Sequence, residues 1–306
     1  MSTSIRETCS GLAARDTQRR IIARPLARGL VLLLVATALA ACSAARLAYH
    51  QAPSLTYWWL DGHLDLDNGQ SEAVRRDIDS FFEWHRGQAL PAYAALLRSW
   101  QAMALEDLDA GQVCAQFDAI RGHVDAAAGR SVVPLARLAL TLTPRQMEHQ
   151  RRHQAKSNQG FEKDFMRGDQ TQRLDSRLAR TVERSERLYG PLSDEQRQLV
   201  RDWLQRSPWD PARTLAERQR RQDDLMQTVA DIQASPGQAE ALVAAHIRRI
   251  GHSPTPGYLE YSRALVQHGC AQFAALHNST TPQQRERALR TLRGYEEDLS
   301  ALARPL

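Results

Sequence analysis

The chain has 306 residues and a formal net charge of +5, but six of its 40 basic and two of its 35 acidic residues precede Cys42. The part that follows carries 34 basic against 33 acidic residues, a charge of +1, which excludes a nucleic-acid binder because such a domain shows a clear basic excess. Its length is enough for one large or two small domains with a real core, and Lys156 and Lys163 are its only lysines among many arginines.

The first organised stretch is the leader. Arg19, Arg20, Arg24 and Arg28 precede an apolar run from Gly29 to Ala41, which is too short to span a bilayer. A basic segment, a short apolar core and then small residues make a secretory signal peptide. Leu39-Ala40-Ala41-Cys42 resembles the bacterial lipobox. That resemblance implies a diacylglyceryl group on Cys42, removal of residues 1–41, and attachment to a membrane through the N-terminal lipid. A chain held by more than one acyl group stays anchored. Ser43, in place of an aspartate, points to the outer membrane, with the protein facing the periplasm. An uncleaved anchor helix, or cleavage without lipidation, is the alternative.

Residues 42–66 read as the lipidated cysteine, a tether from Ser43 to Pro53, and the aromatic cluster Leu55-Thr56-Tyr57-Trp58-Trp59-Leu60. The cluster suits burial against the first long helix, where aromatics bring large area; contact with lipid headgroups is the other reading, since Trp and Tyr favour that zone. From Asp67 to Leu306 the pattern predicts one continuous all-α multi-helix bundle with long amphipathic helices. Val74, Ile78, Phe81 and Phe82 share one helix face, and Leu90-Pro91 breaks or kinks that helix. Tyr93, Leu96, Leu97, Trp100 and Met103 follow on a second helix. Val113, Cys114, Phe117, Ile120 and Val124 form a stripe on a third, expected to be buried. Four helix starts share the grammar of a capping box: Asp67-x-x-Gln70, Thr143-Pro144-x-Gln146, Ser193-x-x-Gln196 and Thr281-Pro282-x-Gln284. Asp210-Pro211 starts another helix without the glutamine. Residues 145–188 have few large apolar side chains, so their helices have a narrow apolar stripe and either protrude or line a concave face. Tyr258, Tyr261, Phe273, Leu276, Leu292 and Tyr295 are core candidates near the C-terminus.

Beyond Cys9 in the leader and Cys42, the two cysteines Cys114 and Cys270 remain. In an oxidising compartment this pair suits a disulfide that would tie the two ends of the bundle together. Two buried free thiols are the alternative, since spacing alone fixes no distance.

Catalytic signatures are few. There is no Walker loop, glycine-rich dinucleotide turn, GxSxG or HExxH, and no cofactor is expected. His149 and His153, at i and i+4, are a weak metal pair without an evident third ligand; two solvated polar residues on an arginine-rich face are the plainer reading. Phe81-Phe82-Glu83-Trp84-His85-Arg86, with Tyr93 beyond Pro91, is the stretch richest in chemistry. Trp84, His85, Arg86 and Tyr93 are candidates for a binding patch; a helix end whose His and Arg meet the last carbonyls is the plainer reading.

A lipobox cysteine, the Tyr57-Trp58-Trp59-Leu60-Asp61 segment, Leu64-Asp65-Leu66-Asp67 with Gln70, Trp84-His85-Arg86 and Leu90-Pro91-x-Tyr93 together resemble a family of proteobacterial envelope lipoproteins of unknown function. The resemblance extends to Gln284-Arg285 and Leu292-x-x-Tyr295. It implies an α-helical lipoprotein and carries over no catalytic residue. Leu142-Thr143-Pro144-Arg145-Gln146, and nearly so Leu192-Ser193-Asp194-Glu195-Gln196, are similar to the LTxxQ helix starts of Spy-like periplasmic chaperones, which are shorter and soluble. The expected role is a non-enzymatic interaction or scaffold protein whose partner is another envelope protein. The runner-up is a tethered chaperone that uses a concave face within residues 143–206.

Overall fold

The computed structural model describes residues 46–304. The leader, Cys42 and the proposed lipobox lie outside the described residues. Residues 52–306 form one compact unit.

Among the described residues every regular element is helical, as the patterning predicts. Residues 46–64 are helical (α1), so most of the expected tether is helix. There follow α2 (Asn68–Trp84), α3 (Leu90–Met103), α4 (Ala110–Arg130), α5 (Val132–Thr141), α6 (Pro144–Phe165), α7 (Gln170–Tyr189), α8 (Asp194–Gln205), α9 (Pro211–Ala234), α10 (Ala239–Gly251), α11 (Tyr258–Asn278) and α12 (Pro282–Leu302).

All four expected capping boxes form, and Asp109 with Gln112 and Asp169 with Gln172 add two more. Four of the glutamines also act across the fold. Gln70 and Gln146 face each other, the Gln146 amide donating to Gln70 Oε1 at 2.6 Å while Gln70 donates to the Thr141 carbonyl at 2.9 Å. Gln196 and Gln284 exchange bonds of 2.8 and 3.0 Å, and each also donates to a carbonyl in the other's approach loop, Ser279 and Pro191. Each amide of this second pair thereby fills both donor and both acceptor positions, so burying it leaves no polar group unpaired. The two pairs pin α2 to α6 and α8 to α12 at their N-terminal ends.

Pro91 does not break its helix. The chain passes from α2 to α3 through one π turn, His85–Ala89, in which the Leu90 amide reaches back to the His85 carbonyl. Pro91 then sits in the first turn of α3, where its missing N–H costs little. At the end of α7, Gly190 has φ +80°, and a Cβ there would meet the Arg287 side chain at 2.9 Å. Only glycine fits that turn without strain.

The apolar interior has three parts. One gathers Leu64, Ala136, Ala139, Val229, Ile232 and Val243 from α1, α5, α9 and α10. A second gathers Val182, Tyr189, Val200, Leu204, Leu276 and Ala288 from α7, α8, α11 and α12. The third surrounds the Cys114–Cys270 disulfide with Leu108, Val113 and Ala274; its Cα atoms are 5.5 Å apart across 156 residues of sequence. The bond joins α4 to α11 and realises the expected pairing.

Candidate functional site

Short loops join α3 to α4 and α11 to α12, but the packing is crosswise: α3 packs along α12 and α4 along α11. Their connecting loops are stitched together. Asn278 accepts from the Leu108 amide and donates to its carbonyl, both at 2.9 Å, and Arg285 donates to the Leu105 carbonyl at 2.9 Å and pairs with Asp107. Exposure along α4 then rises from 7% at Val113 to 48% at Phe117 and 59% at Val124. The two helix pairs are shut at the loop end and leave an apolar groove between them.

This groove has a volume of about 510 Å³, and no lining side chain carries a formal charge at neutral pH. Leu97, Trp100, Phe117, Ile120, Leu292 and Tyr295 form its walls. The buried polar groups it contains are already engaged. Trp100 donates to Gln116 Oε1 at 2.8 Å across α3 and α4. At the floor, the Tyr189 hydroxyl is 2.9 Å from His277 Nδ1, and His277 Nε2 donates to the Glu106 carbonyl at 2.8 Å. A carbonyl can only accept, so Nε2 carries the proton and Tyr189 donates to Nδ1. Burial pushes the His277 pKa down and that of Tyr189 well up, so both are neutral. A large apolar cleft with a few fixed polar groups is the common form of a ligand site.

The stripe on α4 is therefore only partly buried: Phe117, Ile120 and Val124 are exposed, contrary to expectation, because α4 packs on α11 while Phe117 and Ile120 face the open groove. Phe273 and Tyr295 are exposed for the same reason, whereas Tyr261, Leu276 and Leu292 are buried as expected. The Leu174, Leu178 and Val182 stripe of the arginine-rich segment is consumed against the second core cluster. The apolar concavity lies mainly on α3, α4, α11 and α12, with Leu188 and Tyr189 of α7 completing its lining.

The stretch around Trp84, His85, Arg86 and Tyr93 becomes a chain of rings. Phe81 and His85 stack with centroids 5.9 Å apart, His85 lies edge-on to Tyr93 at 5.5 Å, and Tyr93 to His123 at 5.0 Å. Trp84 donates to Gln88 Oε1 at 3.0 Å. Burial lowers the His85 pKa and raises that of Tyr93. Glu83 is exposed, and the structure supplies aromatic packing at His85.

His149 and His153 do lie side by side, ring centroids 5.0 Å apart, with His63 4.8 Å from His153. The rings are tilted over one another, and His149 Nε2 bonds the Gly62 carbonyl at 3.0 Å. Among the described residues no group of three ligating side chains is placed to hold a metal ion.

A second concavity, of about 410 Å³, has the opposite chemistry and was not legible from spacing alone. Glu217 on α9, with a side chain 2% exposed, accepts from Arg220, Arg221, Ser253 and Thr255. Burial alone would raise its pKa, but these hydrogen bonds hold it down at about 2. One helical step on, Asp224 bonds His246 Nδ1 at 2.6 Å and Arg249 Nε at 2.8 Å. The signal was there as Glu217-x-x-Arg220-Arg221-x-x-Asp224, one face of α9, and His246-x-x-Arg249 on α10. Nothing in either run says that the two faces meet.

Residues 62–249 match the model of a family of unknown function, DUF6279. The chain belongs to that family. The matched span holds the Asp224–His246 contact and ends within α10, before α11 and α12 supply their side of the groove. No curated protein and no solved structure matches the chain. No helix among the described residues is long and apolar enough to cross a membrane.

Proposed function

We propose that this DUF6279 protein is a lipid-anchored, periplasm-facing lipoprotein of the outer membrane that works as a non-enzymatic binding scaffold. In this reading it holds an amphipathic helix of another envelope protein in the groove between α3–α12 and α4–α11. The observation that carries the reading is the uncharged groove of about 510 Å³ with Phe117, Ile120 and Tyr295 exposed along it. Its walls are helical stripes, such as Val113, Phe117 and Ile120 on α4 and Ala288, Leu292 and Tyr295 on α12. Ridges of this kind accept the apolar side chains of an incoming helix, which satisfies its own backbone and needs no polar partner inside. The lipobox-like Leu39-Ala40-Ala41-Cys42 and the likeness to envelope lipoproteins supply the location.

A photo-crosslinking residue placed at Ile120 in intact cells tests the reading. One or two recurring envelope proteins are expected. A broad set of unfolded clients would instead favour a tethered chaperone, the second reading, which draws on the same feature: the groove is mostly apolar and offers few polar groups with which to select a sequence. Replacing Cys42 by Ala should release the protein from membranes; retention there would end the lipoprotein reading.

A further inference from the structure

We propose that the outward stripe of α1, Leu55 with Trp58 and Trp59, is a docking surface for the headgroup zone of a lipid bilayer. One face of α1 is fixed to the fold. Tyr57 is 6% exposed, its hydroxyl donates to Ser71 Oγ at 3.0 Å, and the Arg75 guanidinium lies 3.4 Å from its ring centre. Leu60 and Leu64 pack into the first core cluster. That rotation turns Leu55, Trp58 and Trp59 outward, at 59%, 63% and 62% exposure. Of the burial expected for the whole cluster, only Tyr57 is fully buried and Leu60 partly so.

Trp58 touches the edge of Tyr57, and Trp59 lies on His63 with centroids 4.3 Å apart, so both indoles are backed by the fold and face away from it. Neither indole N–H has a hydrogen-bond partner among the described residues. Exposed tryptophan is costly in water, and a ring with one polar edge favours the boundary between headgroups and acyl chains. Two indoles and a leucine offer a few hundred Å² at most, against the roughly 800 Å² per partner of a stable protein interface. A bilayer sets no such minimum.

Reach favours the same occupant. Leu55 lies thirteen positions after Cys42 and residues 46–55 are helical, so the span is at most about 30 Å. This part of the argument rests on the lipid-anchor reading. Residues 54–63 contain no Lys or Arg, so docking through the indoles should persist when salt is raised, unlike a polybasic contact.

The test uses the full protein isolated from membranes and placed in phosphatidylethanolamine–phosphatidylglycerol vesicles that carry a shallow doxyl-labelled lipid. Quenching of tryptophan fluorescence is expected, and Trp58→Phe with Trp59→Phe should abolish it even though four tryptophans remain. Equal quenching in both proteins, or none in the native one, would overturn the proposal. A photo-crosslinker at position 58 should give a lipid adduct; a protein adduct, including one to a second copy, would overturn it too. The mass of the N-terminal peptide separates this from the anchor: quenching without lipid on Cys42 removes only the anchor, and lipid without quenching removes only the surface.

Discussion

The polar concavity on α9 and α10 and the apolar groove on α3, α4, α11 and α12 each contain a shielded histidine, handled in opposite ways. His246 is held by the Asp224 carboxylate, which also accepts from Arg249, and beside them Glu217 pairs with Arg220 and Arg221. His277 is 2% exposed, kept neutral, and bonded only to a phenol and a carbonyl. On the polar side both carboxylates are saturated by the groups around them, which ties those groups to the fold. The apolar side has its buried polar groups paired and its hydrophobic surface open. Water-exposed apolar area is the larger unmet demand in this pair of sites, so it marks where a partner gains most.

The largest effect should come from the bond behind the groove wall. Cys114→Ser with Cys270→Ser frees a loop of 156 residues, for which chain entropy predicts a loss of about 5 kcal/mol. Urea unfolding without reductant measures it. A loss far below that, with the groove still able to crosslink, would mean that the stitched loops at Leu108 and Asn278 hold the wall by themselves.

On the polar side, Glu217→Gln should cost about 3 kcal/mol, because it leaves Arg220 and Arg221 without their buried partner. Acid provides an independent check. The Glu217 pKa is depressed from 4.5 to about 2 when folded, so its stabilisation is complete above the unfolded value and is lost as pH falls from about 4.5 towards 2. The native protein should show this loss in thermal melts, and the variant should show a flatter acid limb.

At the groove floor the sign is the same but the window is higher. The folded pKa of His277 lies below its ordinary 6.5, so the unfolded state takes up the proton first and stability falls as pH drops below 6.5. Tyr189→Phe removes the donor to Nδ1 and leaves a buried acceptor unpaired, for about 1–3 kcal/mol. It should also ease protonation of the ring, bringing the folded pKa back towards 6.5 and so making the acid loss smaller. An unchanged profile would place the pH response elsewhere.

Much of this fold was legible in the sequence because capping grammar is local. Four glutamine boxes and Asp210 announce their helices, and the Asp109 and Asp169 boxes follow the same spelling. That Gln196 and Gln284 then grip one another, 88 residues apart, is tertiary information that neither box contains. The sites were less legible. An apolar stripe such as Val113, Phe117, Ile120 and Val124 tells which side of a helix avoids water, not whether a neighbour arrives to cover it. The same limit applied to Trp58 and Trp59, whose outward direction depends on Tyr57 and Leu64 winning the inner face. Asp224 and His246 sit on separate helices, and neither has a spacing that names the other.

The smallest change in stability should accompany the largest change in binding. Phe117 and Tyr295 are 48% and 53% exposed, and substitutions at such positions usually move stability by about 0.5 kcal/mol or less. Phe117→Glu with Tyr295→Glu places two carboxylates in a groove that has no cation among its lining side chains, and an apolar helix entering it would have to desolvate them. Melting should therefore stay close to native while the crosslink from position 120 disappears. The paired control is Glu217→Gln, which should lower stability and leave that crosslink in place at a temperature where the variant is folded. If instead the groove variant crosslinks normally and the Glu217 variant does not, the roles assigned to the two sides are reversed, and the polar concavity with His246 becomes the binding site.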